Sequence, residues 1–505
     1  MKYKLTIERG GESRTVTAPE EMTLLEILRR EGIRFAAPCG GHGACGKCRV
    51  SVSDSGGQRR VLACRTLLRR DMRLSLPEAS GGILEEGKPG QTGVTPDRSG
   101  LGAAVDLGTT TLVAELYDLS DGRLLGRKSA WNAQSAYGAD VITRIQYTID
   151  EPDGLQTLRD LVHGQIAEML RSLGAEPETL RETVIAGNTI MQHIHAGLDP
   201  RGLASAPYAP VSLFTDTTEE GLLYAPCAAS YVGGDIMAGL LSAGLHRQKG
   251  QHLFLDIGTN GEMALGGSEG FLCCAAASGP AFEGAGIACG MAGTEGAVSR
   301  VRWGEQGHEI ETVGGAEPRG LCGSGLIDLL GLLAERRLIG PTGRLLPPEE
   351  APPGFEKWLD EDENGNGVFY LDRERGIYLG ASDVRQLQLA KAAVAAGIHV
   401  LLETAGIRAE GVSAVILSGG FGSYLDPKSA AAIGMLPPVL AQKARALGNC
   451  SLAGARMALL DLEKRREMLE IQSACRYLDL SGNAMFMREY PEQMFFYEED
   501  EDEWN

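Results

Sequence analysis

The sequence predicts a multidomain protein with α/β and α+β parts, and two observations carry that prediction. Near the N-terminus, three cysteines lie on the glycine-rich loop Cys39–Cys48, and a fourth follows at Cys64. Further on, a strand, a D-x-G-T turn and a second strand occur twice, at Asp106 and at Asp256. Because the chain has 505 residues and a domain takes roughly 150, about three units are expected.

The charge balance excludes some classes of partner. The formal net charge is −19, whereas nucleic acids and anionic membranes attract basic surfaces. The N-terminus alternates polar and apolar residues like a strand, with no apolar signal core, and no stretch resembles a charge-free membrane span. We therefore expect a cytoplasmic protein without a nucleic-acid or membrane partner.

Residues 1–78 have the pattern of a small sheet with one helix. Thr23 and Glu26 have the spacing of a capping box, and an apolar stripe follows as far as Gly32. Alternating polar and apolar residues predict the strands Lys4–Glu8, Arg14–Ala18, Arg49–Ser53 and Met72–Leu76. This order matches the plan of small ferredoxins.

The cysteine spacing favours an iron–sulphur cluster. It reads C-x5-C-x2-C, one residue longer than the plant-type C-x4-C-x2-C pattern. A zinc site usually brings two close pairs, and a Rieske centre needs two histidines, whereas His42 stands alone. The longer spacing resembles the adrenodoxin-like branch of β-grasp [2Fe-2S] ferredoxins. The predicted cluster ligands are Cys39, Cys45, Cys48 and Cys64.

Two segments of biased composition frame the rest of the chain. Residues 79–100 are rich in glycine, proline and polar residues, which predicts a flexible linker, with an ordered surface loop as the alternative. Residues 489–505 end in a run of acidic residues and are expected to form a solvated acidic tail. Residues 101–488 between them are predicted to form one duplicated domain.

The two D-x-G-T turns suggest a phosphate site. Glycine and threonine in such a turn offer N–H groups and a hydroxyl to a phosphate, while an aspartate can hold Mg²⁺ through water. One turn alone is a weak signal, because tight turns favour these residues anyway. A third segment, Ser418–Gly422, follows a buried strand with glycines that let the backbone approach a flat ligand.

Together the three segments resemble the two phosphate motifs and the adenosine motif of the acetate kinase, sugar kinase, heat-shock 70 and actin superfamily. That resemblance implies a duplicated ribonuclease-H-like, actin-type ATPase fold. The implied roles are Mg²⁺ binding by Asp106 and Asp256, orientation of the attacking water by Glu262, phosphate binding by Gly108, Thr109, Thr110, Gly258, Thr259 and Asn260, and adenosine binding by Gly419, Gly420 and Gly422.

Other segments are less specific. Ser278–Gly286 is turn-rich and could cover a phosphate, but an ordinary surface loop is an equal alternative. Asp383–Thr404 has the periodicity of a core helix, with Asp383 as its cap.

A ferredoxin domain joined to this ATPase fold resembles the reductive activators of corrinoid-dependent methyltransferase systems. The segments Asn132–Asp140 and Ala186–Thr189 carry the resemblance alongside the motifs above. It implies an ATP-dependent transfer of one electron from the [2Fe-2S] cluster to a Co(II) corrinoid protein. It further implies an upstream low-potential electron donor and a homodimer formed through the ATPase domain. Some members carry an extra domain after the linker, whereas here Asp106 follows almost at once.

Two other functions stay open at this point, and a third is disfavoured. The protein could be a small-molecule kinase with an appended redox domain. It could be a ferredoxin-type electron carrier or redox sensor whose nucleotide-binding domain only regulates. A donor to a dehydratase-like enzyme is disfavoured, because such activators usually hold a [4Fe-4S] cluster across a dimer.

Overall fold

A computed structural model describes residues 2–33, 35, 37, 39–43, 46, 48–76, 94–215, 218–219, 221–304 and 307–496. Cys45, most of the expected linker and the acidic run at the C-terminus lie outside these residues.

The N-terminal domain is a five-stranded sheet covered by one helix. Its elements are β1 (Lys2–Arg9), β2 (Glu12–Pro19), α1 (Leu24–Arg30), β3 (Arg49–Asp54), β4 (Gly57–Leu62) and β5 (Met72–Ser75), and the strand order is β2-β1-β5-β3-β4. The predicted capping box is present, since Glu26 N–H donates to the Thr23 hydroxyl and Thr23 N–H donates to the Glu26 carboxylate. Strand β4 was not predicted, because its residues are mostly polar and exposed.

The first half of the larger region is built on a six-stranded sheet. Its strand order is β10-β11-β9-β6-β7-β8. The elements are β6 (Leu101–Leu107), β7 (Thr111–Asp118), β8 (Arg123–Trp131), α2 (Val141–Asp150), α3 (Gly154–Ser172), β9 (Glu182–Gly187), α4 (Thr189–Ala196), β10 (Thr218–Glu219), β11 (Leu222–Tyr224) and α5 (Gly234–Ala243).

The second half has a sheet of the same size, in the order β22-β21-β12-β13-β14-β23, and two small antiparallel-rich sheets. The elements are β12 (Gln251–Ile257), β13 (Gly261–Gly267), β14 (Gly270–Ala276), β15 (Ala297–Gly304), β16 (Gly307–Thr312), β17 (Gly320–Leu321), α6 (Gly323–Glu335), β18 (Leu359–Glu361), β19 (Gly367–Asp372), β20 (Ile377–Gly380), α7 (Ala381–Ala405), β21 (Val412–Ser418), α8 (Gly419–Gly422), α9 (Pro427–Ala432), α10 (Pro438–Ala441), β22 (Ala444–Ala446), α11 (Cys450–Leu460), α12 (Leu462–Ser473), β23 (Cys475–Tyr477) and α13 (Ala484–Glu492).

The two large sheets repeat one topology, which confirms the predicted duplicated fold. In the first, β6, β7 and β8 form an antiparallel meander and β9 runs parallel to β6. In the second, β12, β13 and β14 form the same meander and β21 runs parallel to β12. Asp106 and Asp256 therefore occupy matching places, each near the carboxyl end of the central strand.

Helices fill the space between and outside the sheets. Apolar residues of α5, α11 and α12 pack together with one face of both sheets, including Ala104 and Phe254. The opposite face of the first sheet packs on α2, α3 and α4, and that of the second packs on α6 and α7. Five layers result, with the turns after β6 and β12 facing one another across the central layer.

Helix α7 begins two residues before the predicted start. Gly380 is the cap, and Asp383 is the third helical residue, whose carboxylate accepts from the Gly380 and Ala288 N–H groups. This helix has the length and hydropathy to cross a membrane, but 78% of the apolar window is buried within the protein. Its apolar character serves the core of the second half.

The described ends of the two biased segments are packed against the rest of the protein. Of the expected linker, residues 79–93 lie outside the described part. In the remainder, Arg98 donates to the Glu182 carboxylate and to the Leu459 carbonyl. Of the expected tail, Glu492 ends α13, and Phe496 is 3% exposed, while residues 497–505 lie outside the described part. The ion pair of Arg98 and the burial of Phe496 therefore make these two residues part of the folded protein.

Candidate functional site

A deep polar cleft lies between the two halves, where the turns after β6 and β12 face each other. Nearly all residues predicted for the nucleotide site line it: Asp106, Gly108, Thr109, Thr110, Asp256, Gly258, Thr259, Asn260, Glu262, Gly419 and Gly420. Gly422 does not line the cleft, because it is buried beneath the ends of β12 and β21. The duplicated fold thus brings together residues that lie more than three hundred positions apart.

The first turn, Gly108–Thr110, is held from three sides. The Asn132 side-chain amide donates to the Gly108 carbonyl at 2.9 Å. The Asn188 amide donates to the Thr109 hydroxyl at 3.0 Å. The buried Arg144 guanidinium donates to the Thr109 carbonyl. The segments around Asn132 and Asn188 therefore shape this turn, which leaves its backbone N–H groups available to an anion.

The carboxylates of the cleft are buried and held by hydroxyl and amide donors. Asp106 accepts from the Asn449 amide at 2.7 Å and from the Ser451 hydroxyl at 2.8 Å, and Asp256 accepts from the Ser418 hydroxyl at 3.0 Å. Burial raises the pKa of Asp106 against these donors, and burial also raises the pKa of Asp256 to about 6. Packed anions in a desolvated site favour a cation beside them.

A third aspartate, Asp235, lies in the same cleft and was not predicted. It is the second residue of α5, and burial, followed by repulsion from Asp256, raises its pKa to about 8. Glu262 on β13 is 8% exposed, and burial raises its pKa well above the usual range, followed by repulsion from Asp235 and Asp256. The far end of the cleft therefore brings together the buried carboxyl groups of Asp235, Asp256 and Glu262.

Gly419 allows the third predicted motif to approach the second turn. Its φ is +85°, and a Cβ at this position would lie 2.5 Å from the Asp256 Oδ1. A side chain would therefore collide with a cleft carboxylate and strain the backbone. Beside it, the Phe421 ring stacks on the Phe282 ring with centroids 4.9 Å apart and planes 1° apart.

Glu283 is a cleft residue that the sequence did not single out. Its carboxylate accepts from the Thr110 hydroxyl at 2.7 Å and from the Thr259 hydroxyl at 2.9 Å, one from each turn. The Ser278–Gly286 segment is therefore a wall of the cleft rather than an ordinary surface loop. In the sequence, Glu283 is simply a polar residue that follows the apolar Ala281 and Phe282, and this pattern is too common to indicate a functional site.

In the N-terminal domain, Cys48 and Cys64 lie side by side, and Cys39 is near enough for its charge to act on Cys64. Cys48 is 2% exposed, and its Sγ lies 3.2 Å from the Sγ of Cys64. Burial, followed by the Cys48 thiol and the charges of Cys48 and Cys39, raises the pKa of Cys64 to about 11. Crowded, desolvated thiols of this kind fit a metal centre that binds them as thiolates. Cys45 lies outside the described residues, so three of the four predicted ligands can be placed.

The cysteine loop contacts the nucleotide-binding region directly. Arg29, in the last turn of α1, donates to the Gly40 carbonyl at 2.8 Å and to the Ala136 carbonyl at 2.9 Å, and its guanidinium lies 4.7 Å from the Tyr137 ring centre. A Cβ at Gly40 would come within 3.1 Å of the Tyr137 carbonyl oxygen. The loop therefore packs tightly on the segment that follows Asn132.

The same segment reaches the first phosphate turn on its other side. Arg144 donates to the Gly138 carbonyl at 3.0 Å and to the Gln134 side chain at 3.2 Å, besides its bond to Thr109. Burial lowers the pKa of Arg144 to about 9. Residues 132–140 and Arg144 thus form a continuous polar connection between the cysteine loop and the nucleotide cleft.

Fold and site together define a two-part protein, an iron–sulphur domain joined to a nucleotide-binding domain of the ASKHA class. Models of three domains match the chain: the 2Fe-2S iron-sulfur cluster binding domain at residues 7–69, the RACo middle region at 101–248, and the C-terminal domain of RACo, the ASKHA domain, at 250–505. The chain belongs to the RACo family, the reductive activators of corrinoid proteins.

Individual relatives agree with this membership. The corrinoid activation enzyme RamQ of Eubacterium limosum is 28% identical, over 94% of this chain and 96% of the relative. The [Co(II) methylated amine-specific corrinoid protein] reductase of Methanosarcina barkeri is 24% identical, over 73% of this chain and 72% of its own. A solved structure of a reductive activator for corrinoid, iron-sulfur protein is 32% identical and covers 98% of both chains with a TM-score of 0.72.

Proposed function

We propose that this protein is an ATP-dependent reductive activator, which passes one electron from its [2Fe-2S] cluster to the inactive Co(II) form of a corrinoid protein and so restores Co(I) for methyl transfer. Its family membership supports this function. The observation that carries the coupling to ATP is the contact of the cysteine loop with residues 132–140, which also hold the first phosphate turn.

Each site has a proposed role. Cys39, Cys45, Cys48 and Cys64 would hold the cluster, which supplies a one-electron carrier when bound. Asp106 and Asp256 would hold Mg²⁺ through water, since both are buried carboxylates at matching strand ends. The phosphate ligands would be Gly108, Thr109, Thr110, Gly258, Thr259 and Asn260, and the adenosine would lie against Gly419 and Gly420.

The difference between the reduction potentials of the cluster and of the cobalt couple would explain why ATP hydrolysis is needed. Plant-type clusters have reduction potentials near about −400 mV. A shortfall of about 200 mV against the cobalt couple would cost about 5 kcal/mol, since roughly 59 mV corresponds to a tenfold change in a one-electron equilibrium. Binding energy and ATP hydrolysis would supply that difference.

The partners and location follow from the same proposal. The chain would receive electrons from an upstream low-potential donor and deliver them to a corrinoid protein of a methyltransferase system. We include in the proposal a homodimer formed through the ATPase domain, and a cytoplasmic location.

The test is an anaerobic mixture of the reduced protein, Mg-ATP and a purified Co(II) corrinoid protein, followed through the visible spectrum of cobalt. We expect Co(I) bands to appear with ATP and not without it, and Asp106→Asn to abolish them. ATP-independent reduction would instead favour a simple electron carrier. Transfer of the γ-phosphate to a metabolite without cobalt reduction would favour a kinase.

A further inference from the structure

We propose that Glu283, rather than Glu262, is the catalytic carboxylate that orients the attacking water in ATP hydrolysis. The inference rests on the proposed function, because it deepens the chemistry of the same cleft. Two hydrogen bonds join the Glu283 carboxylate to the hydroxyls of Thr110 and Thr259.

Those bonds place one carboxylate between the two turns. Thr110 belongs to the first half of the fold, whereas Thr259 and Glu283 belong to the second. A terminal phosphate gripped by both turns must therefore lie beside the Glu283 carboxylate. Two anions in direct contact repel each other, but a water between them donates a proton to the carboxylate and points a lone pair at phosphorus.

The position of Glu283 is rigid. It ends a short 3-10 helix, Pro280–Glu283, whose Ala281 and Phe282 side chains are buried. The Phe282 ring is stacked on Phe421, and the Ser278 hydroxyl donates to the Gly258 and Thr259 carbonyls at 3.2 Å. The segment is thus fastened to the second turn at both ends, as a group that must orient a water requires.

Glu262 is placed less well for this task. It lies on β13 directly across from Asp256, in the buried acidic end of the cleft, whereas Glu283 is only half-buried. No described hydrogen bond joins the Glu262 side chain to either threonine hydroxyl, both of which donate to Glu283. A carboxylate that orients water must be reachable by water, and Glu283 meets this condition because it lines the cleft and is only half-buried.

In the proposed step, the water oxygen bonds to the γ-phosphorus as the bond from phosphorus to the β–γ bridging oxygen breaks. ADP leaves with the bonding electron pair. The water proton passes to the Glu283 carboxylate and then to solvent. The products are ADP, inorganic phosphate and one proton, so atoms and charge balance.

The experiment compares steady-state ATP hydrolysis by the full-length holoprotein and by Glu283→Gln, without any corrinoid protein. We expect kcat to fall about 100-fold or more, as for loss of a general base. The KM for ATP, the Kd of a non-hydrolysable ATP analogue and the Mg²⁺ requirement should stay within about threefold of wild type. Glu269→Gln, in the exposed turn between β13 and β14, is the matched control and should match wild type.

A second pair of variants tests how Glu283 is held. Thr259→Val removes a hydroxyl donor and should lower kcat, whereas Thr259→Ser keeps the donor and should restore most of the loss. If Glu283→Gln hydrolyses ATP like wild type, or if its defect lies in nucleotide affinity or Mg²⁺ requirement, the inference is overturned. Wild-type hydrolysis without cobalt reduction would overturn the proposed function and leave this inference standing.

Discussion

Arg29 of the iron–sulphur domain donates to the main-chain carbonyl of Ala136 in the nucleotide-binding region, 107 residues away. The same guanidinium also donates to Gly40 of the cysteine loop. One side chain therefore joins the prospective electron carrier to the segment that supports the first phosphate turn.

Replacing Arg29 by alanine should release the cysteine loop from that segment. Hydrogen bonds of a charged donor contribute about 1.5–3 kcal/mol. The equilibrium constant for packing of the cysteine loop on residues 133–140 should therefore fall about tenfold or more. Hydrogen exchange at residues 39–43 and 133–140 should accelerate, while ATP hydrolysis persists. Arg69→Ala, an exposed arginine of the same domain, is the control. Unchanged exchange in Arg29→Ala would contradict a role of this contact in docking.

The Ser451 side chain makes one described hydrogen bond, from its hydroxyl to the Asp106 carboxylate. Replacing Ser451 therefore tests what that hydrogen bond contributes to nucleotide binding. Its removal in Ser451→Ala leaves a buried carboxylate short of one donor, so Mg-ATP affinity should fall about tenfold. Calorimetric titration with a non-hydrolysable analogue measures this. Ser481→Ala deletes a similar hydroxyl-to-aspartate bond at the surface and should change nothing. Equal affinity for both variants would contradict a role of the Ser451 hydroxyl in holding Asp106 for nucleotide binding.

Local motifs could be predicted from the sequence, whereas contacts between residues distant in sequence could not. The capping box at Thr23 and the two D-x-G-T turns are local patterns, in which a few adjacent residues determine the conformation, and both were predicted. The donors to Asp106 could not be, because Asn449 and Ser451 are 343 and 345 residues distant and reach it only through the packing of α11. Glu283 was hidden for the same reason, since only folding brings its loop between both turns.

Cys48→Ser should prevent assembly of the [2Fe-2S] cluster, because its sulphur is buried against Cys64 and a hydroxyl is a poor iron ligand. The visible absorption and the iron content of the purified protein should both drop to background. Cys289→Ser provides the comparison, since Cys289 is half-buried in the second half and donates to the Gly376 carbonyl. Full iron content in Cys48→Ser would remove Cys48 from the ligand set.

Lys391 gives a prediction for pH. It is fully buried on α7, donates to the Phe495 carbonyl, and burial lowers its pKa from 10.5 to about 7. Between these values the unfolded chain binds more protons than the folded one, so raising the pH stabilises the fold by up to about 1.4 kcal/mol per pH unit. Lys391→Met lacks this dependence, and its stability relative to wild type should decline from pH 7.5 to 9.5.

Urea unfolding midpoints at several pH values measure that difference. Lys428→Met, at an exposed position of α9, should keep a constant offset from wild type over the same range. A constant offset for Lys391→Met as well would mean that the buried amine keeps its proton in the folded protein.

The anchoring of Arg98 to Glu182 and Leu459 has a kinetic consequence. It fixes the chain to the nucleotide-binding body just after residues 77–93, so the covalent path from Leu76 to Val94 can span at most ~60 Å at ~3.4 Å per residue. An electron carrier confined to that radius has an effective concentration on the order of millimolar at any acceptor seated on the body. Reduction of a bound acceptor should then be unimolecular and insensitive to dilution, and micromolar free ferredoxin would compete poorly with the attached domain.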